Sequence, residues 1–493
     1  MTEPATRLSS AELDALNRAA SPTARIARVD ARDDGRVLVE RFRLGNGLEV
    51  IIWEDHAAPV FAYQTWFRVG SRHDPEGRSG IAHLFEHLMF KATTTRGEGE
   101  YDRLMEAAGG QTNAATWVDW TYYKAKLPKW ELDLVTTLEA DRMERLALSS
   151  EMLEREREVV LNERSMRVDN DPDGRLSEAL YRTAFEVHPY GVPTIGWEAD
   201  IRRISLDDCM SFYRTHYAPS NAVITVVGDV STQAVLAAVQ ARYGHLTAEP
   251  LPPETLRPEP PQTAPRHLEL TLPLSSARVV KAWHGPASGT PEHAALEVLC
   301  EILVGGDSSR LEVALVEEGE LATDVTGWVS SWAHPGLLEF SLTLRPGVAP
   351  ADAEAALEAA LDDIRSGRAP ITAAELDKAR NSLEASFYRG LADVGSRARQ
   401  LGHGAVTLGD WQDLWSEAQR LGAVTLDELA RVFAETFVAD RLTTAFALPS
   451  GEVPAEEDDD DGSGDHDDDG DDAGEGYDEA AAGRDDASEE GIR

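Results

Sequence analysis

Two histidines four residues apart, with a glutamate between them, are the residues of this chain best suited to chemistry. His83, Glu86 and His87 lie in residues 81–91, which contain no Gly or Pro and whose apolar residues recur at helical spacing. Residues four apart on a helix project from the same face, so both imidazoles can reach one metal ion. The order His-x-x-Glu-His is the reverse of the common His-Glu-x-x-His zinc motif. The alternative is a pair of histidines satisfied within a core helix.

A third ligand is needed, because a catalytic zinc ion takes three protein ligands and a water. The best candidate lies in residues 154–166, a charged helical stretch whose apolar residues include Val159, Val160 and Met166. Glu156 and Glu163 are seven residues apart there, which is two helical turns along one face. We expect Glu163 to be the third ligand and Glu156 to orient a ligating histidine through a hydrogen bond.

This arrangement of motifs resembles the pitrilysin/insulinase (inverzincin) metallopeptidase family. Within that family the chain is most similar to the bacterial branch that resembles the mitochondrial processing peptidase. Several other stretches between about Val39 and about Leu448 support the resemblance: residues 44–51, 113–123, 188–191 and 220–229.

The resemblance implies a fold, a cofactor and a way of binding substrate. It implies an α+β protein of two homologous α/β-roll domains, with helices over a mixed, mainly antiparallel sheet, that form a clam-like chamber. It implies Zn²⁺ held by His83, His87 and Glu163, with Glu86 as the catalytic base. It also implies that Asn113 and Ala114 lie on a strand edge beside the metal and bind the backbone of an extended substrate. The alternative for Asn113 is an ordinary edge strand in which its side chain caps a turn.

One departure from the family concerns the second half of the chain. Active members often carry an Arg and a Tyr seven residues apart, and Val316 and Thr323 occupy the matching positions here. Neither side chain can replace a guanidinium or a phenol, so another residue or a partner chain has to supply the pair. We expect a heterodimer with a homologous subunit that lacks the metal motif; a homodimer is the alternative.

Length and composition predict several segments. A chain of 493 residues is too long for one ordinary core, and seven prolines fall within residues 250–265, which favours an extended linker. We therefore expect five segments: a polar N-terminal arm (1–36), in which a short capped helix is the alternative; a catalytic zinc-binding domain (37–249); the linker (250–265); a non-catalytic domain that encloses substrate (266–450); and a disordered acidic tail (451–493).

Charge and hydropathy restrict the partners. From Glu452 onward, 20 Asp or Glu and two Arg contribute −18 to the net charge of −41. A chain with this negative charge is expected to bind nucleic acid poorly and to attract cationic peptides. The alternative is that the acidity only keeps the protein soluble. The sequence shows neither a signal peptide nor a run of eighteen apolar residues, and the two cysteines suggest buried thiols. We expect a cytoplasmic protein that is not bound to a membrane.

These observations together predict a zinc-dependent endopeptidase that hydrolyses unfolded or short peptides. Whether it would be a scavenger or a maturation protease stays open at this stage. The alternative from another class is a non-catalytic core subunit of an assembly that retains the peptidase fold.

Overall fold

The described residues of this computed structural model, 7–247, 251 and 255–451, form two β-sheets that are each covered by helices. This confirms the predicted α+β class. No helix within those residues is long and apolar enough to cross a lipid bilayer. The predicted acidic tail lies outside the described residues except for Gly451, and so do four residues of the predicted linker, Pro250 and residues 252–254.

The first half contains a seven-stranded sheet and the helices that follow its strands. Its strands are β1 (Ile26–Asp33), β2 (Leu38–Leu44), β3 (Glu49–Glu54), β4 (Val60–Phe67), β5 (Gln111–Thr116), β6 (Thr121–Pro128) and β7 (Ala222–Gly228). Its helices are α1 (Ser10–Asn17), α2 (Ile81–Leu88), α3 (Glu100–Ala107), α4 (Leu132–Arg145), α5 (Ser150–Arg164), α6 (Pro172–Ala184), α7 (Glu198–Ile201), α8 (Leu206–His216) and α9 (Thr232–Tyr243).

The strand order is β1-β2-β3-β7-β4-β6-β5, so β1 and β5 are the two edges. All pairs are antiparallel except β3 with β7. One face of the sheet packs on a core with α2, α4, α8 and α9.

The second half repeats this plan with a five-stranded sheet. Its strands are β8 (Arg266–Leu272), β9 (Arg278–His284), β10 (Ala322–Val329), β11 (Leu337–Leu344) and β12 (Leu442–Pro449). Its helices are α10 (Pro291–Val304), α11 (Arg310–Glu312), α12 (Pro350–Arg365), α13 (Ala373–Arg389), α14 (Val394–His403), α15 (Asp413–Ala423) and α16 (Leu426–Thr436). The order is β10-β11-β9-β12-β8, and only β12 and β8 run parallel.

Each half contributes one helix that packs on the sheet of the other half. α14 lies on the second face of the first sheet, against β4 and β7, where it helps to bury Trp66 and Val223. A side chain at Gly402 would collide with the indole of Trp66, so the glycine allows the close approach. In return α6 lies on β8 and β12 of the second sheet. The two halves therefore share their apolar surfaces.

The expected polar arm needs correction for the residues that the structure describes. Ser9 caps α1 in a capping box with Glu12, which is the alternative that the sequence offered. Residues 26–33 then pair with β2 as an edge strand. The strand is Arg- and Asp-rich because one face of an edge strand remains in contact with water.

Candidate metal centre and active site

The start of α2 is fixed by its N-terminal contacts. Gly80 precedes the helix with φ of 89°, a conformation that glycine adopts readily. The Asp74 carboxylate accepts hydrogen bonds from the N–H groups of Gly80 (2.6 Å) and Ala82 (3.1 Å). These contacts satisfy donors that a helix N-terminus leaves unpaired, and they set the direction of the side chains that follow.

One face of α2 packs in the core, and the other carries the residues suited to chemistry. Leu84, Phe85 and Leu88 are buried in the first core. His83 is buried, and Glu86 and His87 are half-buried, with the two imidazole centroids 5.0 Å apart.

Helix α5 presents Glu163 to both histidines. Ser149 caps the helix by accepting the N–H of Met152 (3.1 Å), and Val160 anchors it in the core. Oε1 of Glu163 lies 3.6 Å from Nε2 of His83, and its Oε2 lies 3.4 Å from Nε2 of His87. One donor atom from each of the three residues lies within 4.8 Å of the other two. The structure thus brings together the three side chains that the sequence proposed as ligands.

This donor set fits a zinc ion. Two imidazoles and a carboxylate are common zinc ligands, and atoms about 2.0–2.2 Å from one tetrahedral zinc lie roughly 3.3–3.6 Å apart. The 3.4 and 3.6 Å separations, one to each carboxylate oxygen of Glu163, are close to that spacing.

Glu156 lies behind His87, as the seven-residue spacing suggested. Its Oε1 is 3.4 Å from Nδ1 of His87, and its Oε2 is 2.7 Å from Nζ of Lys91. On the other side, Nη1 of Arg167 is 3.1 Å from Oε1 of Glu163. Sequence reasoning missed both cations. Arg167 follows Glu163 by four residues, a spacing at which opposite charges meet on a helix, and this signal could have found it.

Electrostatics differ between the two histidines. Burial lowers the pKa of His83, and the neighbouring carboxylates do not compensate. Burial also acts on His87, but hydrogen bonding to Glu156 and Glu163 outweighs it and raises the pKa to about 9. For Glu163, burial is outweighed by His87, His83 and Arg167, which lower the pKa to about 2. Glu163 is therefore ionised at neutral pH, as a metal ligand must be.

The edge strand β5 runs beside the metal-motif helix. Among the residues that the structure describes, it contacts α2 and pairs only with β6, with Asn113 opposite Lys124 and Ala114 opposite Tyr123. The side-chain Oδ1 of Asn113 accepts the N–H of Ala114 (2.7 Å). Asn113 and Ala114 therefore lie on a free sheet edge near the site, and their role toward a substrate stays a prediction.

Val316 and Thr323 lie in a helical turn and in the strand that follows it. Val316 lies in a π-turn after α11 and packs against the second core. Thr323 lies on the edge strand β10, where its hydroxyl donates to the carbonyl of Thr343 (3.3 Å). Neither side chain offers a cation or a phenol.

Comparison with known proteins agrees with this geometry. Residues 49–197 match the family model described as insulinase (peptidase family M16), and residues 203–383 match the one described as peptidase M16 inactive domain. The chain belongs to the insulinase family, peptidase family M16. The second match begins inside the first half of the chain, before the proline-rich residues.

Individual relatives of the M16 chain cover most of its length. It is 31% identical over 422 residues to the zinc protease PqqE of Helicobacter pylori, which covers 83% of this chain and 93% of that protein. It is 26% identical to a probable mitochondrial-processing peptidase subunit beta of Arabidopsis thaliana, over 83% of this chain and 78% of that protein. A crystal structure of a protease from Helicobacter pylori superposes with a TM-score of 0.79 at 31% identity, over 83% of this chain and 99% of that one.

Proposed function

We propose that this M16 chain is a zinc-dependent endopeptidase in which His83, His87 and Glu163 hold the ion and Glu86 is the general base. The observation that carries the proposal is the convergence of three suitable donor atoms within 4.8 Å, on two helices that pack in the same core. Relatives that are named zinc proteases support the same metal.

A zinc ion held there would supply a Lewis acid that lowers the pKa of its bound water and polarises a scissile carbonyl. Glu86 belongs to the same turn as His87, and its charge acts on both ligating histidines. From that position its carboxylate accepts a proton from the attacking water and later gives it to the leaving amine. Glu156 and Lys91 hold His87 in place during this exchange.

Substrate would be held as an added strand. β5 is an edge, so an extended peptide can hydrogen-bond to its free backbone groups near Asn113 and Ala114. To pair there, the peptide has to replace the bond between Ala114 and the Asn113 side chain. Recognition through the backbone favours unfolded or short peptides of varied sequence, enclosed in a chamber that excludes folded proteins.

The proposed organisation has a catalytic domain (37–249), a linker (250–265), a second domain that encloses substrate (266–450) and an acidic tail (451–493). Val316 and Thr323 cannot supply the Arg and Tyr side chains that the resemblance leads us to expect. We therefore propose a partner subunit of related fold that provides them, with this chain as the zinc-bearing member of a heterodimer.

Metal analysis combined with Glu86→Gln tests the proposal. The purified chain should bind about one zinc per molecule, both alone and with the partner recovered from the native cell. Glu86→Gln should keep that zinc and reduce the rate of peptide cleavage by about a thousandfold, within the range for loss of a general base.

Two other outcomes would count against parts of the proposal. A wild-type chain that binds no zinc and cleaves nothing, even with its partner, would favour the non-catalytic assembly role. Full cleavage by the chain alone would contradict the need for a partner.

A further inference from the structure

Two exposed apolar side chains flank the proposed zinc ligand Glu163 on α5. Val159 precedes it by four residues and Met166 follows it by three, and their side chains are 47% and 74% exposed. Of the apolar residues in this part of the chain, Leu153, Val160 and Leu161 enter the core, whereas Val159 and Met166 do not. Both remaining side chains therefore face water at an apparent cost in free energy.

Their positions place them beside the site rather than elsewhere on the helix. With 100° between successive residues of an α-helix, Val159 lies about 40° from Glu163 around the axis of α5, and helix neighbours four apart have Cβ atoms about 5–6 Å apart. Val159 therefore lies next to the Glu163 side chain, and Met166 lies two residues beyond the end of α5 at Arg164. Val159 and Met166 are called the apolar strip here, and the proposed metal ligand lies between them along the chain.

The surroundings of this strip are charged. The other strongly exposed positions of α5 include Glu151, Glu154, Arg155 and Glu158. One turn before Val159, Nη2 of Arg155 forms an ion pair with Oε2 of Glu98 (2.7 Å). An apolar strip within a charged helix surface, at the metal ligand alone, points to an apolar group that binds there.

The backbone around Met166 is also unusual. α5 does not end in an ordinary cap but continues as a π-turn, Ser165–Asp169, which carries both Met166 and Arg167. π-turns of this kind occur frequently at functional sites. The unbranched thioether of Met166 adapts to ligands of different shape.

We propose that Val159 and Met166 form a subsite for an apolar side chain of the peptide substrate, close to the scissile bond. The proposal rests on the proposed peptidase function. Continuity with that site favours a substrate side chain over a partner chain, because a peptide paired with β5 passes the metal-motif helix α2, and the strip is adjacent to Glu163.

A binding experiment in the Glu86→Gln background tests this without cleavage. Two fluorescein-labelled nine-residue peptides, identical except for a central Leu or Ser, are titrated with the zinc-loaded full-length chain, with its partner present if binding requires it. The chain should bind the Leu peptide about tenfold more tightly, the lower end of discrimination by an apolar pocket. The double variant Val159→Ser, Met166→Ser should reduce this difference to less than twofold.

A matched control and a second readout keep the result unambiguous. Val29→Ser changes a side chain of similar exposure (40%) on β1, the sheet edge opposite β5, and should keep the tenfold difference. An unchanged Leu preference in the double variant would overturn the subsite. Analytical ultracentrifugation is the second readout. If the double variant kept the Leu preference but changed its oligomeric state, the subsite would also be overturned, since the strip would then bind a subunit. Failure of the peptidase proposal would give a different result from failure of the subsite, because the wild-type chain, with Glu86 in place, would then cleave neither peptide.

Discussion

The helices α2 and α10 follow the opening strands of their respective halves, and both carry buried histidine. In α10, Nδ1 of His293 lies 3.4 Å from Oε2 of Glu297 on the same helix, and Nε2 lies 3.1 Å from the carbonyl of Ser330. Both ring nitrogens of His293 thus have partners within the second half of the chain. In α2, both Nε2 atoms point at a carboxylate from another helix, and Nδ1 of His83 is buried without a hydrogen-bond partner among the described residues. Burial of histidine alone is therefore no sign of a metal site; what distinguishes α2 is two ring nitrogens aimed at one distant carboxylate.

The strongest way to break this contrast is Glu163→Gln. The amide is a poorer zinc ligand than the carboxylate, so we expect zinc affinity to fall by more than about a hundredfold, the upper limit for losing only an outer partner of a ligand. Competition with a chromophoric chelator measures it. Glu158→Gln, on the exposed side of the same helix, is the matched control and should change nothing. Wild-type affinity in Glu163→Gln would remove this residue from the ligand set.

A second prediction concerns the surface that the halves share. Glu339 on β11 is fully buried, and burial raises its pKa to about 7 despite hydrogen bonds from Tyr181 of α6 and from Trp328. The folded state therefore holds a proton that the unfolded state releases near pH 4.5, so stability falls as pH rises from about 4.5 to about 7.

Over that range we expect the free energy of unfolding of the wild type to fall by about 2–3 kcal/mol relative to Glu339→Gln, since each pKa unit corresponds to about 1.4 kcal/mol. Urea unfolding at a series of pH values measures the difference. Parallel pH profiles for the two proteins would mean that Glu339 does not titrate in this way.

Glu156→Gln sharpens the comparison between the histidines, because it leaves all three ligands in place. His87 would lose the negatively charged partner at its Nδ1, and Lys91 would lose the nearer of its two ion-pair partners. Zinc affinity should fall about 10–100-fold, the usual effect of removing a partner of a metal ligand, while the apo protein stays folded by circular dichroism. No change in zinc affinity would show that Glu156 serves only Lys91.

The smallest effect is expected in the second half. His293→Ala should leave zinc affinity unchanged and lower the free energy of unfolding by about 1–2 kcal/mol, because the carbonyl of Ser330 loses its donor. His245→Ala, an exposed histidine on the first half, is the control for stability. A loss of zinc in His293→Ala would contradict the division between a chemical and a structural histidine.

The residues of the candidate site could be predicted from the sequence more completely than the fold around it. Local spacing predicts which side chains share a face on α2 and on α5, and the need for a third zinc ligand suggested that these two faces meet. β1 was missed because its exposed Arg and Asp residues mask the alternation that indicates a strand. α14–α16 were missed, although Asp393 and the Thr425–Glu428 capping box mark the starts of α14 and α16. That α14 covers the first sheet could not be predicted, because a pattern shows that a face is apolar but not which surface covers it.

The course of the chain after Glu163 has a consequence for biosynthesis. α5 leads through its π-turn directly into α6, and α6 lies on β12, the last strand of the described structure. While the protein is being made from its N-terminus, the helix that carries Glu163 leaves the ribosome long before α6 has a surface on which to settle. We therefore expect α6 to reach its final packing only after the second half has been made.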